Sequence, residues 1–406
     1  MEEWKEYRLG DIISISGGFA YKGELIGSGD NYLLSMGCVS FSENFLDKGA
    51  RQYAGESPDR FYAYPGDIVL ATRQQSDNLP ILGMPAIIPS KYEGHKMIVG
   101  ANLYRVDIKD KSFNNHFLYW LLKTPSYVNH IRSCQSGTTV RMITKANIED
   151  YIFYAPDKTT RDHISDFIWA LDDKIEVNRK INENLEQQAQ ALFKSWFVDF
   201  EPFKNGEFVE SELGMIPKGW RVGTLKEIAD IIMGTSPSGS SYNTEGIGEV
   251  FYQGRAEFGF RFPKRNMYTT EAKRFAEVDT VLVSVRAPVG DINVAEERCC
   301  IGRGLASVKS KNNYNSYILY LMQSLKNVFD RFNGEGTVFG SINKKAFEEM
   351  QIIVPTGNVI SKFDSIASSM DCQIKRTEQE SRRLAELRDT LLPKLMSGEI
   401  KVNEIA

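Results

Sequence analysis

Two distant stretches of the chain begin in the same way, and this repeat constrains the fold more than any other feature. Trp4–Gly18 reads WKEYRLGDIISISGG, and Trp220–Gly234 reads WRVGTLKEIADIIMG, an offset of 216 residues. Later matches end in an ungapped stretch in which Gly336 follows Gly137 at an offset of 199. A period this long indicates two copies of one domain, since solenoid repeats have periods of 20–50 residues. The offset falls from 216 to 199 along the repeat, which indicates that the two copies share one fold but have loops of different length.

Each copy divides into a strand-rich module and a long helix. Short β-branched runs bounded by Gly, Pro and Asp, such as DIVLAT and TVLVSV, predict strands. A short helix is predicted within the strands of each module, over residues 115–131 and 315–329. The predicted fold class is α+β, with two duplicated strand-rich domains separated by an antiparallel pair of long coiled-coil helices in pseudo-two-fold arrangement.

Both predicted long helices carry apolar residues at alternating steps of four and three, which is the 3.5-residue period of a coiled-coil seam. Arg388 is an exception within the second seam, and Pro393 predicts that this helix kinks or ends near Leu392. The apolar seam residues predicted to pack between the helices are Ile164, Ile168, Leu171, Ile175, Leu185, Leu192, Phe363, Met370, Ile374, Leu384 and Leu391.

The middle of each seam is polar, with Asn178 and Asn182 in the first helix and Thr377 and Ser381 in the second. Duplicated copies commonly associate about a two-fold axis, which makes the helices antiparallel. This mapping pairs Asn178 with Ser381 and Asn182 with Thr377. The polar layer then fixes the register of the helices. The alternative is that the helices splay here and the polar groups are solvated.

These patterns divide the chain into six segments. They are a first module at 1–156, a first helix at 157–200, a linker at 201–219, a second module at 220–355, a second helix at 356–398 and a tail at 399–406.

The sequence carries no recognisable catalytic motif. It lacks the phosphate-binding loop and the nucleophile elbow, and its 4 histidines have no metal-binding spacing. Its 5 cysteines form no CxxC pair, which is typical of reduced structural thiols. No catalytic residue, metal site or cofactor is therefore predicted in this chain. No apolar run is long enough to cross a membrane, and the cytoplasm is the expected location.

Several polar loops have the chemistry of a DNA reader, although the net charge of −4 gives no basic footprint. Arg reads guanine and Gln or Asn reads adenine in the major groove, while basic groups beside aromatics suit phosphates and bases. The alternatives are solvated loops and, around Phe258–Phe262, a hairpin whose Phe residues belong to the core. The candidate DNA-binding residues are Arg73, Gln74, Gln75, Asn78, Ser136, Thr138, Arg141, Arg255, Arg261, Lys264, Arg265 and Arg286.

Three longer motifs resemble the specificity subunit of type I restriction-modification systems. They are QQAQALFKSWFVDFEPF at Gln187–Phe203, LGMIPKGWRVGTLKEIADI at Leu213–Ile231 and LRDTLLPKLMSGEI at Leu387–Ile400. The resemblance covers nearly the whole chain. It implies that each module is a target-recognition domain that reads one half of a gapped double-stranded DNA sequence.

The same resemblance implies a set of partners. The paired helices would set the gap and bind two methyltransferase subunits, and ATP-driven restriction subunits would join them. S-adenosylmethionine, ATP and Mg²⁺ are expected in those partner subunits. A duplicated module that binds carbohydrate or protein on a coiled-coil scaffold is the alternative, and salt-sensitive, sequence-selective DNA affinity would exclude it.

Overall fold

The computed structural model describes residues 4–74, 81–137, 139–334 and 340–402. The chain forms two compact units. Unit 1 comprises Met1–Glu176 and Arg382–Ala406, and unit 2 comprises Val177–Ser381. Each unit therefore holds one strand-rich module together with a part of each long helix, so the units cut across the predicted helical segments.

The module of unit 1 is built from short strands and short helices. Its strands are β1 (Lys5–Arg8), β2 (Ile13–Gly17), β3 (Ile26–Leu34), β4 (Ala50–Tyr53), β5 (Tyr62–Ala63), β6 (Ile68–Ala71), β7 (Arg73–Gln74), β8 (Pro85–Ile87), β9 (Met97–Val99), β10 (Leu103–Ile108), β11 (Arg141–Met142) and β12 (Ile152–Ala155). Its helices are α1 (Leu9–Ile12), α2 (Asn115–Leu121), α3 (Pro125–Cys134) and α4 (Lys145–Glu149).

The strands of unit 1 form two four-stranded sheets and two ribbons. One sheet has the order β2-β10-β6-β8, and the other has the order β4-β3-β9-β5. Strand β3 pairs with β9 in parallel, whereas the pairs of the first sheet are antiparallel. The ribbons join β1 to β12 and β7 to β11.

Unit 2 has a similar set of elements after an additional hairpin, β13 (Phe208–Ser211) and β14 (Gly214–Pro217), with an isolated bridge between Arg286 and Ser341 at the place of the β7–β11 ribbon. Its module strands are β15 (Arg221–Thr224), β16 (Ala229–Met233), β17 (Tyr242–Asn243), β18 (Glu249–Tyr252), β19 (Tyr268–Thr269), β20 (Phe275–Ala276), β21 (Val281–Ser284), β22 (Ile292–Val294), β23 (Cys299–Ile301), β24 (Leu305–Ser310) and β25 (Gln351–Val354). Its short helices are α6 (Leu225–Ile228), α7 (Asn315–Ser324), α8 (Lys326–Gly334) and α9 (Lys344–Glu348).

One four-stranded sheet of each unit matches in order and register, whereas the second sheet of unit 2 has five strands, in the order β17-β19-β18-β23-β20. The sheet β16-β24-β21-β22 repeats β2-β10-β6-β8, and β18 pairs with β23 in parallel as β3 does with β9. Lys5 lies opposite Ala155 and Arg221 lies opposite Val354, at the positions that the two offsets relate. The predicted α+β class with duplicated domains is confirmed.

Each predicted short helix is divided in two. In unit 1, α2 ends at Leu121 and α3 begins at Pro125, with the Thr124 side chain accepting a hydrogen bond from the Tyr127 backbone N–H. Proline suits the first turn of a helix, because the backbone N–H that it lacks would have no partner there. The single helix predicted over 115–131 is therefore wrong.

The long helices are α5 (Lys158–Phe197) and α10 (Gly357–Ser397). Asp157 accepts a hydrogen bond from the Thr160 N–H at 3.2 Å, which caps the start of α5 and lowers the pKa of Asp157. Helix α10 continues through Pro393, so it does not end near Leu392, and the predicted alternative of a kink there stays a prediction. Leu392, Leu395 and Met396 are buried in the core of unit 1, and this burial outweighs the hydrogen bond that proline removes.

The core of each unit joins its module to both long helices. In unit 1, Ile164 and Ile168 of α5 lie in one apolar cluster with Leu392 and Met396 of α10. In unit 2, the residues 199 positions away in each helix, Phe363 and Ala367 of α10 and Phe193 and Phe197 of α5, do the same. Each unit thus contains antiparallel helical segments packed against its own module.

The polar residues of the two seams meet within unit 2. The Asn178 amide donates to Ser381 Oγ at 3.3 Å and to Glu380 Oε2 at 2.8 Å. Thr377 donates its hydroxyl to Asn182 Oδ1, and Asn182 donates to Glu378 Oε1 at 3.3 Å. Asn178 and Asn182 are buried, which favours the paired layer over solvated, splayed helices.

The predicted seam residues face away from solvent. Those that are buried are Ile164, Ile168, Asn178, Asn182, Phe363, Ile374 and Thr377. Those that are half-buried are Leu171, Ile175, Leu185, Leu192, Met370, Ser381, Leu384 and Leu391. Over the four described ranges, no helix is both long enough and apolar enough to pass through a bilayer.

Candidate nucleic-acid interface

One group of exposed cations lies where the central strand of the unit 1 module ends. Strand β6 leads into β7, where Arg73 is exposed and lies opposite Met142 of β11. The Ile143 N–H donates to Thr72 O at 3.3 Å, which ties this edge to the segment that follows α3. Arg73 is therefore presented on a short ribbon whose backbone is fixed by hydrogen bonds.

Unit 2 builds the same corner from the equivalent residues. Strand β21 leads to Arg286, which is exposed and forms a β-bridge with Ser341, the counterpart of Met142. The Ile342 N–H donates to Val285 O at 3.1 Å, which repeats the bond in unit 1. Both modules thus place an arginine at one position of one fold.

Two further cations of unit 1, Arg141 and Lys145, lie on either side of Met142 in the sequence, and Met142 is the strand partner of Arg73. Lys145 begins α4, is exposed, and its ammonium lies 6.0 Å from the centre of the Tyr104 ring. Burial raises the pKa of Tyr104, and the charge of Arg73 opposes that rise. Arg141 is half-buried and donates to Gln135 Oε1 at 3.3 Å. We call Arg73, Arg141 and Lys145 the basic corner of unit 1.

In unit 2 the basic corner consists of Arg286 and Lys344. Lys344 begins α9, is exposed, and lies 3.4 Å from a carboxylate oxygen of Glu348. Lys145 and Lys344 were absent from the predicted interface, although they coincide in the ungapped repeat TKANIED and NKKAFEE. A cation kept at one repeat position was the signal that could have identified them.

Gln74 is not a reader in this structure. Its side chain is 7% exposed, and its Oε1 accepts a hydrogen bond from the Leu82 N–H at 3.3 Å. Alternation along β7 turns Gln74 inward when Arg73 points outward. Ser136 is exposed, and its backbone exchanges two hydrogen bonds with Met142. Gln75, Asn78 and Thr138 lie outside the described residues.

Arg261 is also not available to DNA. It is 4% exposed and pairs with Asp371 at 2.5 Å and with Glu186. The neighbouring Phe262 is buried in the core of unit 2. The alternative interpretation of this segment, with core Phe residues, therefore holds for Phe262. Phe260 is 48% exposed and Phe258 is half-buried.

The other predicted cations of this segment are exposed. Arg255 pairs with Asp291, and Arg265 pairs with Glu297 at 2.6 Å. Lys264 is exposed, and its backbone N–H donates to Glu257 O at 2.7 Å. Surface ion pairs contribute little stability, so Arg255 can exchange its carboxylate for a phosphate at small cost. Arg265 also lies 3.7 Å from a carboxylate oxygen of the buried Glu296.

The basic corners have the chemistry of a duplex reader. An arginine on a short strand can reach a base edge in the major groove, and lysines at a helix start suit phosphates. A net charge of −4 does not argue against such local groups of cations, because only one face of a protein meets a phosphate backbone. These features define a class of protein with two copies of one strand-rich module, each packed on long helices and each with exposed cations at one repeated position.

The family model for the type I restriction modification DNA specificity domain matches residues 1–187 and 217–387. The chain therefore belongs to this family, and the predicted identity of a type I specificity subunit is confirmed. The family supports sequence-specific DNA recognition and does not favour the carbohydrate- or protein-binding alternative.

Named relatives agree with this assignment. The chain is 25% identical to the type I restriction enzyme HindI specificity subunit of Haemophilus influenzae, over 98% of this chain and 100% of that protein. It is 27% identical to the MjaIX specificity subunit of Methanocaldococcus jannaschii, over 72% of this chain and 70% of that one. The crystal structure of the S subunit from M. genitalium shares the fold, with a TM-score of 0.61 at 18% identity over 97% of this chain and 96% of that one.

Removing the two equivalent arginines one at a time should affect different halves of the DNA target. We expect Arg73→Ala to reduce base discrimination in one half-site by about 1–3 kcal/mol, and Arg286→Ala to do so in the other. If either arginine contacts phosphate instead, affinity falls for all sequences and the salt slope drops by about one. Competition binding with duplexes that are mutated in one half-site or the other measures both effects.

The two variants serve as controls for each other, because the residues occupy one position in two copies of the fold. Arg298→Ala is a further control. This arginine is also exposed, but it lies outside the chain segments of the basic corner and pairs with Glu249 at 2.9 Å. Unchanged discrimination and an unchanged salt slope in both corner variants would mean that reading occurs elsewhere on the modules.

Proposed function

We propose that this chain reads a bipartite, gapped sequence in double-stranded DNA, with one module on each half-site. The observation that carries the proposal is the duplication of the basic corner, with Arg73 and Arg286 at one position of two matched sheets. The modules share a frame and differ in loop length, so each can present different side chains to DNA. A target with two unequal halves is what two such readers can specify.

We further propose that the chain is a non-catalytic scaffold. Two methyltransferase subunits would dock on the helices, and ATP-driven restriction subunits would join them. S-adenosylmethionine, ATP and Mg²⁺ would then be bound by those partners, and the assembly would act on cytoplasmic DNA. The support is the family assignment together with the absence of phosphate-loop and nucleophile motifs from the sequence.

Reconstitution with the methyltransferase subunit tests this function. We expect the pair to methylate one bipartite sequence, identified by methylation mapping of host DNA with and without this chain. The purified chain alone should show no methylation, nuclease or ATPase turnover. Modification of an ungapped sequence, or turnover by the chain alone, would contradict the proposal.

A further inference from the structure

Arg261 connects the module of unit 2 to both long helices. Its guanidinium lies 2.5 Å from Asp371 of α10 and also pairs with Glu186 of α5. It donates to the Tyr320 hydroxyl at 3.3 Å, and that hydroxyl donates to Asp371 at 2.7 Å. One cation of the module thus neutralises a carboxylate on each helix. We call Arg261, Glu186 and Asp371 the unit 2 clasp.

The equivalent place in unit 1 has a different charge arrangement. Asp172, which is 199 positions before Asp371, is buried and pairs with Arg388 of α10. From the module, Asn44 donates to Asp172 and the Tyr119 hydroxyl donates to Asn44 Oδ1 at 2.7 Å. Lys123 of the module also lies near Asp172, over the Tyr119 ring, and burial lowers its pKa to about 7. The cation that pairs directly with the aspartate therefore belongs to the helices in unit 1 and to the module in unit 2.

This difference determines whether the helix carboxylates of a unit depend on a cation of the module for their direct ion pair. Without Arg261, the carboxylates of Glu186 and Asp371, 14% and 19% exposed, would lose their shared cation at a poorly solvated site. Leaving partly buried charges uncompensated is strongly unfavourable. Without Asn44, Asp172 keeps Arg388 and loses one neutral donor, which is a smaller loss.

We infer that Arg261 is a positioning residue that fixes the second module on its helices, so that a replacement module there must bring a cation to this place. In the first unit the direct ion pair with Asp172 comes from Arg388 of α10 instead. The inference rests on the proposed function, because the position of the module matters through the half-site that it reads. Displacing a reader by about 1 Å can reduce activity on the order of 100-fold.

The test compares variants of the full chain in complex with methyltransferase subunits. Arg261→Gln should lower the methylation rate at limiting DNA by on the order of 10-fold to 100-fold and weaken discrimination in the second half-site only. Arg261→Lys should restore much of the loss, since it keeps the charge. Asn44→Ala, the matched change in unit 1, and Arg298→Gln, at an exposed arginine of unit 2, should each have a much smaller effect.

A triple variant separates positioning from folding. Arg261→Leu with Glu186→Gln and Asp371→Asn removes the unpaired charges and should recover the wild-type melting temperature. If Arg261 positions the module, second half-site discrimination stays weakened in this variant. Full recovery of discrimination, or wild-type behaviour of Arg261→Gln, would overturn the inference.

The proposed function and the clasp can fail separately. A wild-type complex that methylates no bipartite sequence would contradict the function, whatever the variants do. Hydrogen exchange then still decides the clasp, because Arg261→Gln should increase exchange where the module meets α5 and α10 in unit 2, and Arg298→Gln should not. Equal protection in both variants would overturn the clasp alone.

Discussion

Exchange of residues 1–156 for the equivalent module of another type I specificity subunit is expected to change one half of the methylated sequence and to leave the other half unchanged. The physical reason is that direct reading requires side chains within hydrogen-bonding reach of base edges, so it is local to each module. Each unit has its own sheets, its own apolar core and its own basic corner.

Methylation mapping of hosts that carry the parent or the chimeric chain, with the same methyltransferase, measures this result. The reciprocal exchange of residues 220–355 is the matched control and should change only the other half. Its donor module should carry a cation at the place of Arg261, so that Glu186 and Asp371 remain paired. A change in both halves after either exchange would refute modular reading.

The duplication and the helix register could be predicted because both depend on regular sequence patterns, namely the repeat between the two halves and the spacing of seam residues in the long helices. Repeat positions relate Lys5 to Arg221, and each forms the corresponding antiparallel pair in its unit. The polar residues of the seams interrupt an apolar stripe, and a two-fold mapping pairs Asn178 with Ser381, as the structure does. Such patterns determine which side chains face inward, independently of the length and conformation of the loops.

The roles of individual polar residues could not be predicted, because they depend on partners that are distant in sequence. Arg261 lies in a segment whose composition suits a DNA-contacting loop. It is nevertheless a buried cation, because it pairs with Glu186, 75 residues before it, and with Asp371, 110 residues after it. Arg388 interrupts an apolar seam for a similar reason, since its partner Asp172 lies 216 residues away. None of these three partners can be recognised from a local motif.

Gln74 and Lys145 illustrate the same limit at the candidate interface. The sequence RQQSDN suggests a continuous reading loop, yet Gln74 lies in a two-residue strand and faces inward while Arg73 faces outward. Lys145 has no distinctive neighbours in sequence and becomes a candidate through its place at the start of α4, beside Tyr104. Only the strand pairing brings these residues into one arrangement.

Insertion of four residues into each long helix, after Glu176 and before Arg382, is expected to lengthen the gap of the target. These points are the boundaries of the compact units, so the contacts inside each unit, including the layer of Asn178 and Asn182, are left intact. Four residues add about 6 Å of helix and turn it by about 40° beyond a full turn. That rise corresponds to about two base pairs of duplex at about 3.4 Å each.

Methylation mapping of the double-insertion chain, with its melting temperature as a check of folding, measures the outcome. We expect both half-sites to be retained and the number of base pairs between them to increase, or methylation to cease if the methyltransferase subunits no longer dock together. Insertion in only one helix is the control, because it sets the paired segments out of register and should abolish methylation. A folded, active double-insertion chain that still recognises the original gap would show that the helices do not set the spacing, since the modules would then reach the same bases from a longer scaffold.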